Sequence, residues 1–172
     1  MSGFALWLTG IPASGKSSIA RELRKKLEML GITTVVLESD EMRKILTPTP
    51  TYSPEERDAF YRALTLIGEK ITRSNVNVIF DATAHKRSYR DHARALIPKF
   101  VEIHVQCPLS LCMTRDPKGI YNRASSGTTA TVPGLQTPYE QPLNPEIIVD
   151  GQAPPETASD TIVHKLQQLS YL

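Results

Sequence analysis

The sequence predicts an α/β protein in which a mainly parallel sheet lies between two layers of helices. Short apolar runs typical of buried strands alternate along the chain with segments whose apolar residues repeat at helical spacing. The first run, FALWLT at residues 4–9, leads directly into the glycine-rich stretch GIPASGKSS at residues 10–18. A strand, a glycine-rich loop and a helix in this order are typical of three-layer sandwiches that bind nucleotides.

Five strands are predicted from the apolar and β-branched runs. They cover residues 4–9, 33–40, 76–83, 100–108 and 145–151. Short runs that are apolar on both faces suit the interior of a parallel sheet. We therefore expect a five-stranded, mainly parallel sheet at the centre of the protein.

Helices are predicted between these strands. Apolar residues repeat at helical spacing over residues 19–30, and the pattern of another helix covers residues 86–97. A helix start is predicted at Ser53, which can cap the helix while Glu56 completes a capping box. A last helix is expected after Pro155.

Two segments do not follow this alternation. Residues 41–52 contain Pro48 and Pro50 and are predicted to be irregular. Residues 115–145 are rich in Gly, Ser, Thr and Pro and begin with basic side chains. Long loops in compact proteins are usually functional, so this stretch is predicted to be a lid, with disorder as the alternative. We call residues 115–145 the lid segment.

Composition limits the class of protein. The 172 residues fit one domain, and the net charge of +2 comes without the dense basic stripe of a protein that binds a nucleic acid polymer. No apolar stretch approaches the ~20 residues of a membrane span. Cys107 and Cys112 lack the spacing of metal ligands and are predicted to be reduced. A cytoplasmic protein without a membrane partner is expected.

The glycine-rich stretch has the chemistry of a phosphate-binding loop. It matches the pattern G-x-x-x-x-G-K-[ST], which points backbone N–H groups and the N-terminus of a helix at phosphate oxygens. Lys16 is predicted to reach the terminal phosphates, and Ser17 to ligate Mg²⁺. The fold class is therefore that of P-loop NTPases. The predicted nucleotide-binding residues of the loop are Gly10, Ile11, Pro12, Ala13, Ser14, Gly15, Lys16, Ser17 and Ser18.

Two carboxylates follow predicted strands at the edge where ligands gather in such sheets. Asp40 follows the second strand and Asp81 the third. A phosphoryl transferase needs one carboxylate near Mg²⁺ and often another to orient or deprotonate the acceptor. Asp40 is the predicted catalytic carboxylate, together with Lys16 as a catalytic residue, and Asp81 is the predicted metal ligand. A helix cap is the structural alternative for each aspartate.

The sequence also bears on whether the phosphoryl group is transferred to water or to a second substrate. The chain lacks the Asn-Lys-x-Asp element with which GTPases recognise guanine, and a D-x-x-G match at Asp116–Gly119 is too short to carry weight. A lid that closes over the phosphates would exclude water and favour transfer to a substrate. The sequence therefore predicts a kinase that uses ATP.

Longer motifs resemble those of the adenylylsulfate (APS) kinase family. They are LWLTGIPASGKSS, YSPEER at residues 52–57, CPLSLCMTRDPKGIYNRASSG at 107–127 and PGLQTPYEQPLNPEIIVD at 133–150. The resemblance implies a sheet of order 2-3-1-4-5, Mg-ATP as donor, a homodimer and a role in sulfate activation. The implied reaction is phosphorylation of the 3′-hydroxyl of adenosine 5′-phosphosulfate.

The resemblance also implies roles for single residues. Asp40 would act near the acceptor hydroxyl, while Arg43 and Arg57 would hold the phosphosulfate end. Tyr52 would stack on the acceptor's adenine, as the family's phenylalanine does. Arg115 and Lys118 would belong to the ATP side and the lid, and Lys118 would also lie near the acceptor. Phe60 and Val132 would line the acceptor pocket.

The chain departs from the family mainly at the acceptor pocket. Phe60 replaces an asparagine, Ala84-His85-Lys86 replaces a Ser-Pro-aromatic sequence, and Val132 or Pro133 replaces a phenylalanine. Glu38-Ser39-Asp40 also replaces Asp-Gly-Asp. Two alternatives stay open: a kinase of another nucleotide derivative or hydroxylated metabolite, and a nucleotide-binding module without catalysis.

Overall fold

The computed structural model describes residues 2–128 and 131–172, and its centre is a five-stranded parallel sheet. The strands are β1 (Ala5–Thr9), β2 (Thr34–Glu38), β3 (Asn77–Asp81), β4 (Phe100–Gln106) and β5 (Ile147–Asp150). Their order is β2-β3-β1-β4-β5, and every neighbouring pair is parallel. The predicted α/β class, strand number and strand order are confirmed.

Helices cover both faces of this sheet. They are α1 (Lys16–Met29), α2 (Ser39–Leu46), α3 (Pro54–Arg73), α4 (Arg87–Leu96), α5 (Leu109–Arg115), α6 (Ile120–Ser125) and α7 (Pro155–Gln168). The predicted helices after the loop, after Ser53, near residue 87 and after Pro154 are all present. Within the described residues, none of the helices is long and apolar enough to cross a membrane.

Each face of the sheet has its own apolar core. On one face, α1 and α7 pack over a cluster that includes Leu8 and Ile103. On the other face, α3 and α4 cover a cluster centred on Trp7, whose ring stacks on Phe80 at 4.4 Å between centroids. A stacked aromatic pair contributes about 0.5–1.5 kcal/mol beyond its buried area. The sheet is therefore clamped from both sides, which fixes the strand ends that carry the site.

The start of α3 shows how local chemistry sets a helix boundary. Ser53 Oγ accepts a hydrogen bond from Glu56 N at 3.2 Å, as the predicted cap requires. The Glu56 carboxylate accepts from the backbone N–H groups of Thr51 and Tyr52 rather than from Ser53. The Glu56 carboxylate thus binds the backbone of the preceding loop instead of closing a capping box with Ser53. These contacts hold the loop against the start of α3.

The prediction that residues 41–52 are irregular is wrong for the first half of that segment. Residues 39–46 form α2, and Thr47 follows its last turn. Asp40 and Glu41 lie in the first turn and Arg43 and Lys44 in the last, which complements the helix dipole. The two prolines act only after residue 46, so they end the helix rather than prevent it.

The lid segment contains more structure than its composition predicts. Residues 120–125 form α6, and the carboxylate of Asp116 accepts hydrogen bonds from Tyr121 N and Asn122 N. The buried side chains of Cys112, Tyr121, Ala124 and Val132 form a third apolar cluster beside the phosphate loop. Residues 129 and 130 of this segment lie outside the described residues.

Candidate active site

The glycine-rich loop connects β1 to α1 in a conformation that requires its glycines. Gly15 has φ 103°, in the left-handed region, where an L side chain is strained. A Cβ on Gly10 would lie only 2.6 Å from the carbonyl oxygen of Val105. The loop therefore curls closely against β4, and α1 begins at Lys16 with its N-terminus facing the loop.

Lys16 is a buried cation held by its own loop. Its Nζ donates to the carbonyl oxygens of Gly10 and Ile11, each at 2.9 Å. Burial lowers the pKa of Lys16 to about 8, against the opposing influence of Asp81 and Asp40. The ammonium thus lies where phosphate oxygens would replace the two carbonyls as its partners.

A cavity of about 390 Å³ lies in front of the loop. Its walls come from the loop, the ends of β2 and β3, the lid segment and the turn after β5. Six of the nine predicted loop residues line it: Pro12, Ala13, Gly15, Lys16, Ser17 and Ser18. The other three face elsewhere, since Gly10 is against β4, Ser14 is fully buried and Ile11 packs on the lid cluster.

Besides Asp116 of the lid segment, three acidic residues line this cavity because neighbouring strands end at the same level. Glu38 and Asp81 are register partners on β2 and β3, and Asp40 lies in the first turn of α2. Burial raises the pKa of Glu38, and the charge of Asp81 adds to that shift. Neither aspartate is a helix cap, because the residues before α2 and α4 are Glu38 and Lys86. The structural alternative for both aspartates is therefore wrong.

The carboxylates do not form a metal cage by themselves. Within residues 2–128 and 131–172, no group of three or more His, Cys, Asp or Glu side chains is placed to hold a metal ion. Mg²⁺ usually keeps several waters and uses one or two carboxylates together with substrate phosphates. Ser17 and Asp81, the two predicted metal ligands, line the same cavity.

The lid segment closes the opposite side of the cavity. Arg115 and Lys118 line it, and Arg115 Nη1 donates to Gly151 O at 2.8 Å. The ammonium of Lys118 forms an ion pair with the Asp40 carboxylate. Tyr121 Oη donates to Pro12 O at 2.8 Å, which ties α6 to the phosphate loop. The predicted lid residues thus contact both the loop and the candidate base.

A second cluster lies next to the cavity and contains Arg43, Tyr52, Arg57 and Phe60. Arg43 is one helical turn after Asp40 on α2, so the same helix serves the cavity and this cluster. The guanidinium of Arg43 lies 3.9 Å from the centroid of the Phe60 ring. None of the four residues lines the cavity as the described part of the chain defines it. We call this group the arginine cluster.

Tyr52 holds an uncommon backbone conformation within this cluster. Its φ is 56°, in the left-handed region, and its N–H donates to the Glu56 carboxylate at 3.1 Å. Its ring centroid lies 5.1 Å from the Arg43 guanidinium and 5.5 Å from that of Arg57. The ring predicted to stack on an adenine therefore lies against both cations.

Arg57 is held by neutral acceptors from distant parts of the chain. Its Nη2 donates to Thr131 O at 2.7 Å, and its Nε to Tyr52 O at 3.1 Å. Its Nη1 lies 3.3 Å from Nδ1 of His85. Burial, reinforced by the Arg57 charge, lowers the pKa of His85 to about 4, so this ring is neutral near pH 7. His85 is a site residue that the sequence marked only as a departure from the family.

Val132 lies in a different place from the predicted acceptor pocket. Its side chain is buried in the third apolar cluster, against Ile11 and Ala13 of the phosphate loop. Only its neighbour Thr131 reaches the arginine cluster, through the backbone carbonyl and the hydroxyl. The side chain of Val132 is thus part of the contact between lid and loop.

The fold and this site define a P-loop kinase: a parallel α/β sandwich with a phosphate-binding loop, facing carboxylates and a basic lid. The family model for adenylylsulphate kinase matches residues 2–150. A probable adenylyl-sulfate kinase of Archaeoglobus fulgidus is 38% identical over 147 residues, which are 86% of this chain and 95% of that protein. The chain belongs to the adenylylsulphate kinase family.

Solved structures agree with this assignment. The APS kinase of Mycobacterium tuberculosis in complex with AMPPNP and APS superposes with a TM-score of 0.91 and 28% identity, covering 96% of this chain and 98% of that one. A hexameric APS kinase from Thiobacillus denitrificans gives a TM-score of 0.73 and 29% identity, covering 99% of this chain and 30% of that one.

Proposed function

We propose that this protein transfers the terminal phosphoryl group of ATP to the 3′-hydroxyl of adenosine 5′-phosphosulfate. The product is 3′-phosphoadenosine 5′-phosphosulfate, the activated form of sulfate. The observation that carries the proposal is that α2 joins two sites: Asp40 faces the phosphate-loop cavity, and Arg43 faces the arginine cluster. A hydroxyl placed between the two would lie near both the donor and the candidate base.

The donor would lie in the cavity with its phosphates along the loop. Backbone N–H groups at the start of α1 bind anions, and Lys16 exchanges its two carbonyl partners for phosphate oxygens. Ser17 and Asp81 would hold Mg²⁺. When bound, this ion neutralises charge on the phosphate oxygens. Arg115 and the turn at Gly151 are placed to hold the rest of ATP.

Asp40 would act as the base toward the acceptor. The 3′-oxygen forms a bond to the terminal phosphorus, the bond from that phosphorus to the bridging oxygen of ADP breaks, and the hydroxyl proton passes to the Asp40 carboxylate. Asp40 is half-exposed and already ion-paired with Lys118. Binding of the substrates would draw the Lys118 ammonium away from Asp40 toward the phosphates. The Asp40 carboxylate would then be free for this step.

The arginine cluster would hold the phosphosulfate. Arg43 and Arg57 carry no hydrogen-bonded carboxylate partner among the described residues, so their charges are available to an anion. We place the whole chain, residues 1–172, in one kinase domain whose lid segment excludes water during transfer.

Two further expectations belong to this proposal. A homodimer is implied by the family resemblance, and light scattering of the purified protein tests it against the hexamer seen in Thiobacillus denitrificans. Cys107 and Cys112 are free thiols, which supports the expected reducing compartment, the cytoplasm.

A kinase of another acceptor is the second candidate, and the acceptor side favours it. Phe60 and His85 contact the two arginines directly, and the Val132 side chain is buried elsewhere. An acceptor with a different anionic group and no adenine would use the same arginines without needing an aromatic stacking partner at position 132.

The decisive experiment measures ADP release with Mg-ATP and a panel of hydroxylated acceptors. We expect turnover with APS and formation of a 3′-phosphorylated product, identified by mass spectrometry. Asp40→Asn should lower kcat by roughly 10²–10³-fold with a nearly unchanged KM for ATP, because general-base catalysis contributes about that much. The matched control is Asp91→Asn on the exposed face of α4, which should retain full activity.

The outcomes separate the candidates. Turnover of another acceptor in place of APS would favour the second kinase candidate. Tight ATP binding without any acceptor-dependent transfer would instead support a nucleotide-binding module. An unchanged kcat in Asp40→Asn would contradict the role of Asp40 alone.

A further inference from the structure

The guanidinium of Arg43 is held in an unusual way for a buried cation. Only 12% of its side chain is exposed, and its nearest ring is that of Phe60, itself 2% exposed. The guanidinium carbon lies 3.9 Å from the Phe60 centroid and 5.1 Å from that of Tyr52. Aromatic faces therefore surround a charge that buried carboxylates usually neutralise.

The charge of Arg43 is not fully satisfied by its neighbours. Its Nη1 is buried and has no hydrogen-bond partner among the described residues. The closest carboxylate oxygen, Glu56 Oε1, is 3.7 Å away, which is too long for a hydrogen bond. The Glu56 oxygens instead accept from Thr51 and Tyr52. A buried N–H without a partner is unfavourable, so the guanidinium of Arg43 keeps hydrogen-bonding capacity that its neighbours do not use.

Arg57 makes the contrast clear. Its guanidinium donates to Tyr52 O and to both oxygens of Thr131, and it lies beside His85 Nδ1. Arg57 is thus positioned by hydrogen bonds. Apart from the long contact with Glu56, Arg43 is positioned by rings.

We propose that Phe60 is a positioning residue for the acceptor: its ring face holds the Arg43 guanidinium in place for the acceptor's phosphosulfate. The inference rests on the proposed function, since it takes the acceptor to be that anion. A hydrogen-bonded carboxylate in place of the ring would hold Arg43 equally well but would compensate its charge more fully than the 3.7 Å contact with Glu56 does. A ring holds the cation and leaves the charge for the ligand.

The ring itself is well fixed. Phe60 lies on α3 in the second apolar core, and its ring contacts that of Tyr61 edge to face at 5.3 Å. Because the helix is clamped to the sheet, the ring face is a rigid support rather than a mobile cover. Phe60 would therefore affect acceptor binding through Arg43 without touching the reacting atoms.

The test replaces Phe60 by mono-, di- and trifluorinated phenylalanine, which nearly keep the shape of the ring but progressively weaken its attraction for a cation. We expect the KM for APS to rise stepwise, roughly three- to tenfold over the series. The kcat and the KM for ATP should stay within about twofold, since Lys16 and Asp40 are not in contact with this ring. The same series at Phe4, a buried ring at the opposite end of β1, is the matched control.

A second series in an Arg43→Ala background completes the design. If the ring acts through Arg43, fluorination at Phe60 has no effect on the KM for APS in that background. Should fluorination change the melting temperature and all kinetic constants together, Phe60 is a packing residue and the inference is wrong. If the protein turns over APS but the KM for APS stays constant over the fluorination series at Phe60, the inference is overturned and the proposed function stands. Absence of APS turnover in the unsubstituted protein overturns the proposed function, and the inference with it.

Discussion

Lys16 and Arg57 are both buried cations of the candidate site, but they are positioned by different kinds of contact. Lys16 donates to carbonyls of Gly10 and Ile11, in the loop that precedes it. Arg57 donates across the fold to Thr131, 74 residues away, and lies beside His85, 28 residues away. The proposed donor side is thus built from one continuous stretch of backbone, whereas the proposed acceptor side is built by side chains that tertiary structure brings together.

This difference explains why one half of the site follows a short motif and the other half does not. A loop of nine residues carries its own conformation wherever a strand and a helix flank it. The arginine cluster needs α2, α3, the turn before α4 and the lid segment at the same time. Substitutions can therefore change the acceptor side one contact at a time while the donor side stays intact.

The largest expected effect is on the donor side. Lys16→Ala removes the only ammonium held by the loop carbonyls within the described residues, and we expect kcat/KM for ATP to fall by roughly 10³-fold. Both the KM for ATP and kcat should suffer, as steady-state kinetics at fixed acceptor would show. Lys25→Ala, on the exposed face of α1, is the control. A loss confined to the acceptor KM would contradict the assignment of the two sides.

Arg57→Ala should have the opposite pattern. A charged hydrogen bond contributes about 1.5–3 kcal/mol, so the KM for the acceptor should rise roughly 10- to 100-fold. The KM for ATP should change little, because Arg57 does not line the cavity as the described residues define it. Arg62→Ala, also on α3 but outside the arginine cluster, serves as the control. Equal effects on both substrates would show that the two sides are not separable.

The pH dependence of ATP binding should reflect Lys16. Because burial lowers its pKa to about 8, the ammonium that binds phosphate is lost as pH rises through that value. The Kd for ATP should therefore increase about tenfold between pH 7 and pH 9. Isothermal titration calorimetry across this range measures it. A Kd that stays constant to pH 9 would mean that Lys16 keeps its proton in the free protein.

The smallest expected effect is on stability, and it involves His85. Its pKa of about 4 in the fold lies below the ordinary 6.5, so the unfolded chain binds more protons between these values. Stability is therefore highest above pH 6.5 and falls as pH drops, by about 1 kcal/mol between pH 6.5 and pH 5.5. His85→Gln should remove that slope in urea unfolding, whereas His164→Gln on the surface of α7 should keep it. A slope unchanged by His85→Gln would show that another group is responsible.

Much of the fold could be predicted because its signals are local. The five apolar runs and the loop motif lie within short stretches, and each predicted strand contains the observed one. The predicted strand at residues 33–40 is too long because Ser39 and Asp40 start α2. The sequence does not predict that helix, because Pro48 and Pro50 indicate an irregular segment and the charges that complement the helix dipole are a weaker signal.

The acceptor side could be predicted only in part. The family resemblance points to Arg43 and Arg57, but no local pattern shows that His85 approaches Arg57 or that Phe60 lies under Arg43. The position of Val132 beside a family motif predicts a place at the acceptor, whereas the structure buries its side chain in the third apolar cluster. Contacts between distant segments depend on how the whole sheet and its lid come together.

The ion pair between Lys118 and Asp40 has a consequence for the hydrolysis of ATP when no acceptor is bound. Both partners are about half-exposed, with 50% and 51% of their side chains in contact with solvent, and such pairs contribute only about 0–1 kcal/mol. In the absence of an acceptor, the carboxylate that would activate an attacking oxygen is thus occupied by a neighbouring cation. Without an acceptor, a water molecule would receive little activation from the Asp40 carboxylate. The hydroxyl of a bound acceptor would displace the Lys118 ammonium readily, because the pair is weak. In the proposed mechanism, this pair would therefore limit hydrolysis of ATP while no acceptor is bound.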